Sequence, residues 1–414
     1  MNREASAVST AEEVGPRNVK GRFVIGIDGS HAGAGGGVEN LIQLICFADW
    51  RKFNFDKIVL WGPAVLLSRL PVRERVEYVP VPVLRNRLLK GLLWKTWTFP
   101  KTARGQCDIL LVPSGVFFPP GIPVVSMCTN LLPFDRSELS RYRGTRDYVR
   151  LLALRYLYKL GFLMARGVIF PSDHARKCAF GHRRIPARAV TISHGVDDQF
   201  ALPPRAQRPI TAYTAARPFE FLYVSNVQPY KHHPEVVRAV AALRARGLAV
   251  SLRIVGPGSP ESLRLLQDAM RRVDPNREFL FYEGNADRRT IHEKYHRADA
   301  FVMASTCETF SRPLLEAMAA GLPVACSRRQ PMSSILGDAG LYFEPEDSDM
   351  IELTLLRLVN DEQLRARCAF QAFERARSMS ARISAEATLR LVRDVWEADA
   401  GHKRTAGVGN REQL

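Results

Sequence analysis

At 414 residues, 46% hydrophobic and 24% charged, the chain is long enough for two domains of about 200 residues, each with its own core. That balance is the one of a soluble globular protein. The formal net charge of +17 is uneven, because residues 1–215 hold 31 Lys and Arg against 16 Asp and Glu, which leaves 28 against 26 for residues 216–414. A basic first half suits an anionic membrane surface, a phosphorylated acceptor or nucleic acid.

Met1 to Lys20 is polar and acidic, the reverse of a secretory leader. The most apolar long run, Leu151 to Phe170, is broken by Arg155, Lys159 and Arg166, below the standard of about 20 apolar residues for a membrane span. A cytoplasmic location is expected. The seven cysteines are scattered, odd in number and without a C-x-x-C pair, so they read as small buried hydrophobes rather than a disulfide frame or a metal site.

In chain order, residues 1–20 are expected to be a disordered tail. Arg22 to Asp28 reads as a buried strand, followed by a glycine loop from Gly29 to Gly37 and a helical pattern from Val38 to about Trp50. Strand, glycine loop and helix suit either a phosphate cradle or a structural turn. Further strands are expected at 57–61, 76–79, 108–112, 123–126, 167–170 and 189–193, with helices between most of them, so the sheet should be mostly parallel. Residues 85–104 interleave Trp94, Trp97 and four leucines with arginines and lysines. That pattern fits a basic helix lying in a membrane interface, or equally a core helix with a solvated side. Cys128 to Phe134 should form a loop at a strand end, with Asn130 either stabilising the turn or facing the cleft.

Residues 201–218 are proline-rich and aperiodic, which marks a linker. A second α/β series follows, with strands at 219–225, 251–255, 279–283, 300–304 and 324–326 and helical patterns at 234–246, 260–272, 287–297 and 313–320. Residues 350–400 read as helices, and 401–414 as a second tail. The first strand of this half runs into Asn226-Val227-Gln228-Pro229-Tyr230-Lys231, which puts a lysine on the loop after a strand. Phe301 to Ala304 leads into a polar loop, Cys307 to Arg312, and then a helix with Pro313 near its first position and Gly321 just past its end. That loop should lie outside the carboxyl end of a strand, where open α/β sheets bind ligands. Glu308 and Glu316 frame it, and Ser311 is available as a helix cap.

The spacing E-x7-E from Glu308 to Glu316, with Phe310, Pro313, Ala317, Met318, Gly321, Pro323 and Val324, resembles the signature of retaining group-1 (family 4) glycosyltransferases. The likeness continues through Gly337-Asp338-Ala339-Gly340-Leu341-Tyr342-Phe343 and Pro345. It implies the GT-B fold, two Rossmann-like doubly wound domains facing across a cleft. On it, residues 21–200 form the acceptor domain, 219–380 the nucleotide-sugar donor domain, and 381–400 a helix crossing back to the first domain. It further implies that Lys231 neutralises the donor diphosphate and that Glu308, Thr309, Phe310 and Ser311 contact the donor sugar, with Leu315 among the donor-binding positions and Glu316 on the ribose. Gly36, Gly37, Asn226 and Gly256 would border the donor, and Asn130 and His194 would position acceptor or sugar. Asn226 stands where many members have an arginine, so a second positive contact is missing from the motif.

The expected activity is transfer of a hexose, leaning to mannose from GDP-mannose, with retention. The acceptor would be a lipid-linked saccharide or polysaccharide, with no cofactor, no metal and no nucleic acid, and with the basic first domain available to a membrane surface. A sugar-phosphate synthase on the same fold and a non-catalytic basic scaffold are the rival readings.

Overall fold

The apolar runs expected as strands lack polar alternation, which is the pattern of parallel strands covered on both faces. A computed structural model describes residues 22–30, 36–81, 94–113, 121–181 and 188–409. The expected tail at 1–20 lies outside the described residues.

The first domain is a seven-stranded parallel sheet in the order β3-β2-β1-β4-β5-β6-β7. Its strands are β1 Val24–Asp28, β2 Lys57–Gly62, β3 Val76–Pro80, β4 Ile109–Val112, β5 Val124–Met127, β6 Gly167–Phe170 and β7 Arg188–Thr191. The helices around it are α1 Gly36–Phe47, α2 Ala64–Leu67, α3 Phe99–Gln106, α4 Arg136–Ser140, α5 Arg146–Met164 and α6 Asp173–Phe180. The second domain is a six-stranded parallel sheet, β10-β9-β8-β11-β12-β13. It comprises β8 Phe219–Val224, β9 Val250–Val255, β10 Leu280–Tyr282, β11 Ala300–Met303, β12 Val324–Ser327 and β13 Leu341–Phe343. Its helices are α7 His233–Ala245, α8 Pro260–Val273, α9 Ile291–Arg297, α10 Arg312–Ala319, α11 Met332–Leu336, α12 Ser348–Asn360 and α13 Glu362–Arg377, followed by α14, Ala381–Gly409. In each sheet the order reverses beside its first strand, between β1 and β4 and between β8 and β11. Those two points open a crevice at the carboxyl ends of the strands, where ligands bind in such sheets.

The proline-rich linker is fastened to the second domain. Leu202 donates its amide to the Ala319 carbonyl at 3.0 Å, Arg205 donates to the Ala298 carbonyl, and the Arg365 guanidinium reaches Gln207 Oε1 at 3.1 Å. Gly321, with φ +64°, permits this approach, because a Cβ there would stand 2.5 Å from the Leu202 carbonyl oxygen.

After α13 the chain returns to the first domain. Val196 bridges to Ser380, and α14 then buries Leu389, Val392 and Val395 in the first domain's core while Trp396 stacks on Phe23 at 4.4 Å. The crossover expected at 381–400 is therefore present, and the helix continues through residues 401–409, where a tail was expected.

The segment with Trp94 and Trp97 divides in two. Residues 82–93 lie outside the described residues, and Trp94–Thr98 forms a π turn leading into α3. Lys95 is buried there in an ion pair with Asp28, and Trp94 packs on Phe99 at 4.9 Å, while Trp97 is exposed. Asp28 holds Lys95 down, so Lys95 belongs to the core, while Lys101 and Arg104 stay exposed as the solvated basic side of a core-packing helix.

Because α14 completes the first domain, Leu389→Ala should cost about 2–5 kcal/mol of stability. Chemical denaturation followed by tryptophan fluorescence reads this as a lower midpoint.

Candidate functional site

Two loops meet at the reversal point of the second sheet. The first leaves β8 through Ser225 and Asn226. Its course is set by Gly256, whose φ of +142° and missing side chain let the turn after β9 press against Ser225; a Cβ on Gly256 would lie 1.9 Å from the Ser225 carbonyl oxygen. The Val227 amide then donates to the Pro257 carbonyl at 2.7 Å. A short 3-10 turn, Pro229–Lys231, and the left-handed His232 (φ 49°) bring Lys231 inward, where it is 4% exposed.

The second loop leaves β11 and carries Glu308. The Lys231 ammonium forms an ion pair with the Glu308 carboxylate and lies 5.4 Å from the centre of the Tyr230 ring. The loops are also joined through backbone. The Thr306 amide donates to the Tyr230 carbonyl at 2.9 Å, the Tyr223 hydroxyl donates to the Lys231 carbonyl, and the Ala304 amide donates to the Tyr223 oxygen at 3.1 Å. The positions of Lys231 and Glu308 are thus set together.

This second loop runs directly into α10. Ser311 occupies the cap position, but its hydroxyl points at the Met303 sulfur, 3.0 Å away, and makes no capping bond. The expected side-chain cap is absent, which leaves first-turn amides of α10 available to an anion. Glu316, one turn on, accepts a hydrogen bond from the Tyr295 hydroxyl at 2.8 Å. Burial raises its pKa, with Arg312, Tyr295 and Arg288 pulling the other way. Leu315 faces inward with a buried side chain. It can meet a ligand only through its backbone.

The first domain closes the other side. Ser172 donates its hydroxyl to the Thr309 carbonyl at 2.6 Å. His194, 9% exposed, stands edge-on to Phe310 at 5.2 Å. Burial and then the charge of Arg312 hold the His194 pKa well below its ordinary value, so the ring is neutral. Arg312, at the start of α10, donates to Asn40 Oδ1 at 3.4 Å. Its pKa is lowered to about 10 by burial. Asn40 lies one turn into α1, which begins at Gly36 and Gly37 rather than at Val38, so Arg312 links the start of α10 to the first turns of α1 across the cleft. Residues 31–35 of the glycine loop lie outside the described residues. Asn130 Oδ1 accepts the Leu132 amide at 3.2 Å, a turn-stabilising use of that side chain.

The structure therefore gathers Lys231, Glu308, Phe310, His194 and Arg312 at one cleft, with Glu316 on the flank of Arg312. Arg312, Arg288, Tyr295 and Asn40 were missed in the sequence. Arg312 could have been found, since it lies inside the run from Glu308 to Glu316. Arg288, 3.7 Å from Asp197, is signalled only by a pair of arginines in a polar loop.

Removing one member of the Lys231–Glu308 pair leaves a buried charge alone, whereas removing both does not. Lys231→Met and Glu308→Gln should each destabilise by about 1–3 kcal/mol, and the double variant by less than the sum, as read by thermal melting. His233, stacked on Tyr223 at 4.4 Å, has its pKa lowered to about 3, chiefly by burial. The unfolded chain takes up that proton near the ordinary pKa of about 6.5, so the folded state loses stability as pH falls below that value. The stability gap between wild type and His233→Gln should accordingly narrow on acidification from neutral pH.

Known proteins resemble this chain in sequence and in fold. Residues 213–375 match the family model described as glycosyl transferases group 1. Among curated proteins, O-antigen chain mannosyltransferase B of Escherichia coli is 36% identical over 86 residues, 21% of this chain and 23% of that protein. The glycogen synthase of Mycobacterium tuberculosis is 30% identical over 190 residues, 45% of this chain and 44% of that protein. The matches thus span under half the length of either relative. The solved structure of Anabaena HepE in complex with UDP and glucose superposes with a TM-score of 0.66 at 18% identity, over 90% of this chain and 99% of that one. Residues 213–375 are thus similar to the group 1 glycosyl transferases, and the chain as a whole has the GT-B fold.

Proposed function

We propose that the protein transfers a hexose from a nucleoside diphosphate sugar to a saccharide acceptor, with retention at the anomeric carbon. The observation that carries this reading is the Lys231–Glu308 pair beside the uncapped start of α10, at the reversal point of the second sheet. A diphosphate entering there meets the ammonium and free amides together, and Glu308, released from Lys231, accepts hydrogen bonds from sugar hydroxyls. Arg312, at the same helix end, is the candidate for the second cation that Asn226 does not supply.

In the transfer the bond from the anomeric carbon to the diphosphate oxygen breaks as the bond to the acceptor oxygen forms on the same face. The acceptor proton passes to the departing phosphate. Lys231 and the α10 amides stabilise the charge that develops, fixed in place before the reaction begins. His194, neutral and against Phe310, offers a ring nitrogen to a sugar hydroxyl without adding charge. These cations belong to the protein, so the reaction should proceed without added metal.

For the donor we favour mannose on GDP, supported by the resemblance to the E. coli O-antigen mannosyltransferase. The acceptor in this reading is lipid-linked or a growing surface polysaccharide, met at the inner face of the cell membrane. No helix among the described residues is long and apolar enough to cross a membrane, so contact with that surface would be peripheral.

A thermal-shift screen against GDP, UDP, ADP and their common sugars, in EDTA, tests the reading. One nucleotide family should raise the melting temperature by mass action, and Lys231→Met should abolish the shift. The absence of any shift from a folded protein, or an undiminished shift in the variant, would remove the donor site from this cleft.

A further inference from the structure

We propose that the outer face of α5, Arg146–Met164, lies on an anionic membrane surface. This deepens the lipid-linked-acceptor reading above, but it rests on features of α5 alone.

The inner face of α5 is fully used. Leu151, Gly161 and Phe162 are buried, and Tyr158 stacks between Phe134 and Phe162 at 6.1 and 6.2 Å. The other side is also apolar and has no cover among the described residues. Val149, Leu152, Tyr156, Leu160 and Leu163 recur at helical spacing and are all exposed, Tyr156 by 70% and Val149 by 67%. With Leu157 and Met164 they fill an arc of roughly 140° at about 100° per residue. A helix that is apolar on both sides belongs inside a protein or against another apolar phase.

Charge decides which phase. Within α5, Arg146, Arg150, Arg155 and Lys159 stand against the single acid Asp147, which pairs with Arg150 at 3.0 Å. On the helix wheel Arg155 and Lys159 flank the apolar arc on one side and Arg150 on the other, with Arg146 just inside that second edge, in line with Met164. An apolar strip between rows of cations is the arrangement that sinks into the boundary between headgroups and acyl chains of an anionic leaflet. A second copy of the chain fits poorly, because a two-fold contact sets the same cations against each other.

The test is co-sedimentation of the full-length protein with vesicles of phosphatidylcholine alone or mixed with phosphatidylglycerol, at low and high salt. It requires no donor, acceptor or turnover, so it can fail while the transferase reading stands, and the reverse. The expected result is binding to the mixed vesicles only, weakened by salt. It should fall at least tenfold in Leu160→Ser/Leu163→Ser and several-fold in Arg146→Gln/Arg150→Gln, with both variants melting as wild type does. Absence of binding, equal binding to both vesicle types, or binding unaffected by the leucine changes would overturn the proposal. So would a lower melting temperature in the leucine variant, which would mean that another part of this chain covers the face. A wild-type dimer in sedimentation velocity that the leucine changes dissociate would overturn it in favour of a second copy.

Discussion

An ammonium and a carboxylate held together out of water are costly to desolvate, and they persist only where backbone and hydrogen bonds fix both. Lys231 and Glu308 meet that condition because their loops leave adjacent strands, β8 and β11, and are tied by the Tyr223 hydroxyl and by the Thr306 amide. Tyr223 is itself buried in the sheet core, so the core of the second domain sets the spacing of the charged pair. A ligand that separates the pair must offer each member a better partner. A diphosphate for the lysine and hydroxyls for the glutamate do so at once.

The same cleft joins the two domains. The linker is bound to the second domain and α14 to the first, so neither connection hangs loose. Contacts that cross the gap include Ser172 to Thr309, Arg312 to Asn40, the Arg141–Glu346 ion pair, the edge-on contact of His194 and Phe310, and the packing of Cys307 and Tyr230 against the first domain's core.

Most strands were legible in the sequence, because parallel strands covered on both faces must be continuous apolar runs, and Phe219–Val224 or Ala300–Met303 can hardly be read otherwise. Lys231 and Glu308 were legible because strand endings place them in loops, and Glu316 because Pro313 and Gly321 bound the short helix that carries it. Features that depend on contacts distant in sequence were not. Ser311 reads as a cap until Met303 takes its hydroxyl. Lys95 reads as solvated until Asp28, on the first strand, takes it into the core. The exposed face of α5 was hidden for a simpler reason, since a helix apolar on both sides shows no sidedness to reveal which side the protein covers.

The most direct test is a crystal structure of the protein with the nucleoside diphosphate it binds. The account predicts diphosphate oxygens at about 3 Å from Lys231 Nζ and from first-turn amides of α10, with Glu308 separated from the lysine. A nucleotide bound elsewhere, or bound with the Lys231–Glu308 pair still closed, would contradict it.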